Sequence, residues 1–65
     1  METLTAIMAL AEKHQDKNAS AAVCLQDAKS CKERGLHTYA REQALKSLLH
    51  SVGGFHPDYQ KALAL

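Results

Sequence analysis

The side chains in this sequence that could do chemistry are two cysteines and four histidines. Cys24 and Cys31 are seven residues apart. The histidines are His14, His37, His50 and His56. Two thiolates and a histidine from a neighbouring helix could bind zinc, but the sequence has no C-x-x-C, H-x-x-x-H or H-E-x-x-H spacing. We therefore predict no metal site and no cofactor, and keep a Cys/His metal- or redox-responsive module as an alternative function.

The two cysteines are expected on one helix, in its apolar stripe. Seven residues of helix rise about 10.5 Å, whereas a disulfide needs Cα atoms within about 7 Å. Cys24 and Cys31 therefore cannot pair with each other inside a continuous helix. Burial also keeps a thiol away from substrates, so we predict two small buried hydrophobic side chains.

The remaining polar residues do not indicate an active site. Each histidine is near a predicted helix end, where a partly exposed imidazole costs little. The carboxylates are scattered, so an acid–base pair would have to be assembled across helices. Gly53-Gly54 has neither the preceding strand nor the following Lys-Ser or Lys-Thr of a phosphate loop. We predict no catalytic residue and a protein that is not an enzyme.

The elements that must position these side chains are clearest between residues 21 and 52, where two amphipathic helices are separated at Gly35. Small apolar residues alternate by three and four positions before the glycine: Ala21, Cys24, Ala28 and Cys31. The apolar positions after it are Ala40, Ala44, Leu45, Leu48, Leu49 and Val52. Faces made of small residues allow two helices to approach closely, so the pattern predicts a helical hairpin.

This segment resembles one tetratricopeptide-type helical hairpin. Three residues coincide with the small-residue positions of that family: Ala28, Gly35 and Ala40. Four others depart from it, with Cys24, Cys31 and Ala44 in place of bulky aromatics and Asp27 in place of leucine. The resemblance covers about half of the chain and implies a close-packed hairpin, without assigning functional residues.

A first helix is predicted from Thr3 or Leu4 to Asp16, with Thr3 or Thr5 as N-cap and Glu2 favourably placed at the positive end of the dipole. Residues 17–20 form the expected connection, since Asn18 and Ser20 are both good caps for the second helix. No glycine or proline enforces this break. One continuous helix over 3–34, in a dimeric bundle, is therefore the alternative.

The third helix is expected to begin after Thr38 as N-cap and to end at Gly53-Gly54. Proline at a first helical position predicts a short fourth helix from Pro57 to about Ala64. The residues Phe55, Tyr59 and Leu63 are four apart and are expected to fold back onto the bundle. The predicted fold is all-α, a single domain over 1–65 made of three helices plus a short C-terminal helix.

Size and charge exclude several classes of function. The chain has 65 residues and a net charge of +1, with acidic and basic residues interleaved, which removes the main electrostatic argument for non-specific nucleic-acid binding. The N-terminus has no positively charged region like that of a secretory signal, and no apolar run reaches 18 residues, so we expect a cytoplasmic protein that does not span a membrane. A core this small is marginal, which favours self-association.

The leading hypothesis is a non-enzymatic helical interaction or regulatory module whose partner is another protein or a second copy of the chain. Its candidate surface comprises Tyr39, Phe55, Tyr59, Leu63 and Leu65. The alternative is a small DNA-binding regulator in which the hairpin 21–52 acts as a helix-turn-helix. Its candidate nucleic-acid contacts are Lys29, Arg41 and Lys46.

Overall fold

The computed structural model describes residues 3–65, and these form a helical bundle. The four α-helices are α1 (Thr3–His14), α2 (Ala19–Glu33), α3 (His37–Val52) and α4 (Pro57–Ala64). A single 3-10 turn, Gln15–Lys17, follows α1. The predicted all-α fold with three helices and a short C-terminal helix is confirmed. The predicted dipole contact of Glu2 lies outside the described residues.

The break between α1 and α2 is made by Asn18. Its backbone is extended (φ −160°, ψ 133°), and its side-chain oxygen accepts hydrogen bonds from the backbone N–H of Ser20 at 2.7 Å and of Ala21 at 3.4 Å. This is the N-cap arrangement that satisfies the free donors of a first helical turn. The alternative of one helix over 3–34 is therefore wrong. Thr5 lies inside α1 and does not cap it.

The turn between α2 and α3 is tight because Gly35 adopts a positive φ of 79°. The N–H of Leu36 donates to the carbonyl of Cys31 at 2.8 Å, and the N–H of Gly35 donates to that of Lys32 at 3.1 Å. These two bonds are the Schellman termination that glycine favours. They fix Leu36 as the residue before α3, so the predicted N-cap role of Thr38 is wrong.

Helices α2 and α3 pair as an antiparallel hairpin, and α1 packs mainly against α3. Helix α4 packs against both α3 and α1, and the core lies between these helices. Its buried hydrophobic residues are Leu4, Ile7, Met8, Ala11, Leu25, Ala28, Ala40, Ala44, Leu48 and Ala62. Leu49, expected in the core, is 43% exposed, because the buried stripe of α3 passes through Ser47 and Leu48 instead. The Ser47 hydroxyl donates to the carbonyl of Ala21 at 2.7 Å, so this buried polar group is satisfied.

The loop before α4 corrects a further expectation. Gly53 ends α3 with a φ of 86°, and Phe55, which precedes α4, is fully exposed. The spacing of four residues holds only inside a helix, so it does not carry Phe55 onto the bundle. Tyr59 does pack against the core, and Leu63 is 44% exposed. In the described part of the chain, no helix is both long and apolar enough to cross a lipid bilayer.

Candidate functional site

Two features of the bundle stand out for function, and they lie in different places. The first is a polar cluster formed by His14, His56 and Asp58, where α1 ends and α4 begins. The second is an open groove between α2 and α3, on the side of the hairpin away from α1. The groove has a volume of about 550 Å³ and is lined by Ala19, Ser20, Val23, Cys24, Asp27, Gln43, Lys46 and His50.

The polar cluster is held by a short hydrogen bond between two helices. His14 is the last residue of α1 and is only 7% exposed. Its Nε2 lies 2.6 Å from Oδ2 of Asp58 in the first turn of α4, and Nζ of Lys13 lies 3.4 Å from the same oxygen. The hydrogen bond from His14 lowers the pKa of the Asp58 carboxyl; desolvation opposes this effect and Lys13 adds to it. Asp58 is therefore ionised at neutral pH and joins α4 to α1.

His56 contributes to the same cluster as the N-cap of α4. Its backbone is extended, and its Nδ1 accepts a hydrogen bond from the backbone N–H of Asp58 at 3.0 Å. Pro57 then occupies the first helical position, where its missing N–H costs nothing. The His56 ring stands edge-on to that of His14, with centroids 5.2 Å apart. One residue thus both starts α4 and brings a second imidazole to the cluster.

The cluster is poorly arranged for acid–base catalysis. In a His–Asp pair that serves as a base, one ring nitrogen faces the carboxylate and the other faces the substrate. Here Nε2 of His14 faces Asp58, and Nδ1 is buried and has no hydrogen-bond partner within the described residues 3–65. A substrate cannot reach that nitrogen while α4 is docked.

Sequence reasoning missed this cluster. We expected His14 to be partly exposed, and this is wrong because the start of α4 covers it. The sequence His56-Pro57-Asp58 is a local signal for a helix start, although histidine is not among the usual N-cap residues. Nothing local relates His14 to Asp58, which is 44 residues away, so their pairing depends on how α4 folds back.

The open groove is framed by two regular stripes, one from each helix. The α3 stripe is Tyr39, Gln43, Lys46 and His50, at steps of four, three and four. The α2 stripe is Ser20, Cys24, Asp27 and Cys31, at the same steps. Residues at such steps share one helix face. Val23 and Tyr39 stand on this side of the hairpin with 60% and 61% of their surface exposed.

The predicted interaction surface is divided between different parts of the molecule: Tyr39 is on the open side of the hairpin, whereas Leu65 lies beside Ala6 and Leu10 of α1. Tyr39 is near the start of α3 and Phe55 follows its end, and the 13 helical steps from Tyr39 to Val52 span about 20 Å. Tyr59 is partly buried against the core, while Leu63 and Leu65 remain 44% and 47% exposed. The structure therefore does not bring Tyr39 together with the others.

The predicted nucleic-acid contacts also point in different directions. Nζ of Lys29 forms an ion pair with Glu12 on α1 at 2.9 Å, whereas Lys46 lines the open groove. Arg41 and Lys46 are five residues apart on α3, which places them about 140° apart around its axis. No single face of the hairpin presents all three cations.

The two cysteines are both free, as the helical spacing predicts. Cys24 lines the open groove and is buried, as predicted. Cys31 is only half-buried against the core, so the prediction that it is buried is wrong. Within residues 3–65, neither belongs to a cluster of three candidate metal ligands. The zinc site considered from Cys24, Cys31 and a histidine is therefore not assembled.

No protein-family model, curated protein or solved structure significantly matches this chain. The resemblance of residues 21–52 to a tetratricopeptide hairpin is therefore a likeness of local pattern. The close-packed hairpin that it implies is present, with Ala28 and Ala40 fully buried. Function has to be argued from the polar cluster and the open groove.

Proposed function

We propose that this chain is a non-enzymatic protein-interaction module, and that a second copy of the chain is the partner that its open groove binds. The supporting observation is that the α2–α3 hairpin is covered on one side alone. Contacts of Lys29 with Glu12 and of Lys32 with Thr5 place α1 on the far side of α2 from the groove. Val23 and Tyr39 are left in water on the open side, and exposed apolar groups beside a groove are typical of interaction sites.

The dimensions of the open side suit a small homodimer. The 16 residues of α3 are about 24 Å long, and two adjacent helices are about 20 Å wide. One side of the hairpin therefore offers a footprint of about 480 Å². Two copies together bury close to 1,000 Å², the lower limit for a specific interface. Pairing two hairpins in this way makes a four-helix arrangement, a common solution for a small core.

The charges in the groove are self-complementary. Asp27 lines it from α2 and Lys46 lines it from α3, and within residues 3–65 neither takes part in an ion pair. A two-fold axis exchanges equivalent residues, so each contact made by one copy is repeated by the other. Lys46 of each copy can then face Asp27 of the second copy, which supports a homodimer over a partner of unrelated charge.

The test is the solution mass by light scattering over a range of concentrations, in parallel samples with and without reductant. We expect a dimer that dissociates on dilution. Val23→Glu places an unpaired charge in the groove and should yield a monomer. Phe55→Ser is the matched control, because Phe55 is more exposed than Val23 but lies outside the groove, and it should remain dimeric.

Three results would reject the proposal. A wild-type chain that stays monomeric at every concentration removes self-association. A dimer that resists Val23→Glu but is lost in Phe55→Ser moves the interface to the α3–α4 loop. A dimer that requires oxidising conditions would be a disulfide-linked product of Cys24 or Cys31 and would also contradict the account.

A further inference from the structure

We propose that the polar cluster is a zinc-binding site in which His14, His56 and Asp58 supply three ligands. One candidate ligand atom from each residue lies within 4.8 Å of the others. Two imidazoles and a carboxylate are a set that zinc accepts in proteins, with a fourth position left for water. This site lies at the α1–α4 junction and is independent of the open groove.

The cluster is already gathered from distant parts of the chain. His14 ends α1, while His56 and Asp58 flank the first residue of α4. The ordering of the three side chains, normally part of the cost of forming a metal site, is thus achieved when α4 docks.

Metal binding requires specific rearrangements within the cluster. Nε2 of His14 and Oδ2 of Asp58 are 2.6 Å apart, and since an ionised carboxylate can only accept, the N–H at Nε2 donates this hydrogen bond. Two ligands at about 2.0 Å from a tetrahedral ion are about 3.3 Å apart, so the pair opens by about 0.7 Å, and the imidazole proton moves from Nε2 to Nδ1, which has no hydrogen-bond partner among residues 3–65. Nζ of Lys13 moves away from Asp58; its side chain is 64% exposed, so this costs little.

His56 must also give up its cap. A neutral imidazole has one nitrogen lone pair, and in the metal-free chain that lone pair accepts the N–H of Asp58. A ring bound to zinc has no free lone pair, so the hydrogen bond that caps α4 is lost. The cap is one hydrogen bond, whereas the bound ion gains bonds to three protein ligands. Zinc binding therefore leaves a local signature at the Asp58 amide.

The experiment is a titration of the full chain with Zn²⁺, read by calorimetry and by amide and imidazole NMR shifts. We expect one saturable site, shifts confined to His14, His56 and Asp58, and faster hydrogen exchange at the Asp58 amide. His56→Asn keeps a capping oxygen but removes the imidazole, so its affinity should fall by about tenfold or more. His37→Asn is the matched control, since His37 is an exposed histidine of α3 outside both the cluster and the open groove, and it should bind as the wild type does.

The competing hypothesis is that zinc binds to Cys24 and Cys31 instead of the polar cluster. A double variant, Cys24→Ala with Cys31→Ala, should keep the site, and Co²⁺ bound to the wild-type chain should show no thiolate charge-transfer absorption. The proposal is overturned if Zn²⁺ does not bind, if His56→Asn binds as tightly as the wild type, or if the shifts appear around Cys24. The NMR map of the wild-type chain decides between the sites even if the double variant does not fold.

Discussion

The two sides of the α2–α3 hairpin differ both in their residues and in their surroundings. On the covered side, Leu25 and Leu48 are almost completely buried beneath α1 and its neighbours. On the open side, Val23 is 60% exposed although it is two residues from Leu25. Residue type alone therefore does not decide burial, because the position of α1 determines which side of the hairpin becomes core. The covered side supports the fold, and the open side is available for a partner.

The largest effect that distinguishes the two sides is expected from truncation of the covered side. Leu48→Ala should lower the free energy of unfolding by about 2–5 kcal/mol, because it removes a fully buried side chain and leaves a cavity. Val23→Ala on the open side is the control and should change the stability of the monomer by about 0.5 kcal/mol or less. Urea unfolding of both variants at a concentration where the chain is monomeric measures the difference. Equal losses would mean that the two sides are not distinct.

The turn that joins α2 to α3 should be next in sensitivity. Gly35→Ala should cost about 1–2 kcal/mol, because an L-residue is strained at a φ of 79°. A Cβ at this position meets no other atom, so the loss reports the backbone conformation and not a clash. Gly54→Ala is the control, since Gly54 lacks a positive φ and a Cβ there makes an ordinary contact with Leu49 at 3.6 Å. A stable Gly35→Ala variant would show that the turn can relax.

A smaller loss is expected for the buried hydroxyl between the two helices. Ser47→Ala should cost about 1 kcal/mol, because it removes the hydrogen bond from Ser47 Oγ to the Ala21 carbonyl. Ser51→Ala is the control, since the Ser51 hydroxyl bonds only within its own helix, to the Leu48 carbonyl. Thermal unfolding should rank the two variants in that order. The reverse order would indicate that the contact between α2 and α3 is not made through Ser47.

The α1–α4 junction should respond to acid in the presence of a metal chelator. The hydrogen bond from His14 lowers the pKa of Asp58 in the folded chain below its ordinary value of 3.8. A lowered folded-state pKa gives stability that is fully present above the unfolded-state pKa and is lost as the pH falls through the folded-state pKa. The wild type should therefore be more stable than Asp58→Asn at pH 7, and the difference should shrink as the pH drops below about 4. A difference that is independent of pH would contradict the ionised pairing.

The sequence predicted the helices well because their boundaries depend on neighbouring residues. Asn18, Gly35, Gly53 and Pro57 each stop or start a helix through local backbone geometry, and all four do so in the structure. The packing was harder to predict. The positions of α1 and α2 against α3 decide that Ser47, and not Leu49, faces the core. The pairing of His14 with Asp58 depends on how α4 docks. Neither leaves a local pattern in the sequence.

The most direct test of the open side as an interface is the mass of a mixture of two charge-reversed chains at low salt. Asp27→Lys places Lys opposite Lys across the two-fold axis, and Lys46→Asp places Asp opposite Asp, so each variant alone should be monomeric. In a heterodimer, every Lys at these positions faces an Asp, so an equimolar mixture should regain the mass of two chains. If the mixture has the same mass as the separate variants, the open groove does not bind a second copy of the chain.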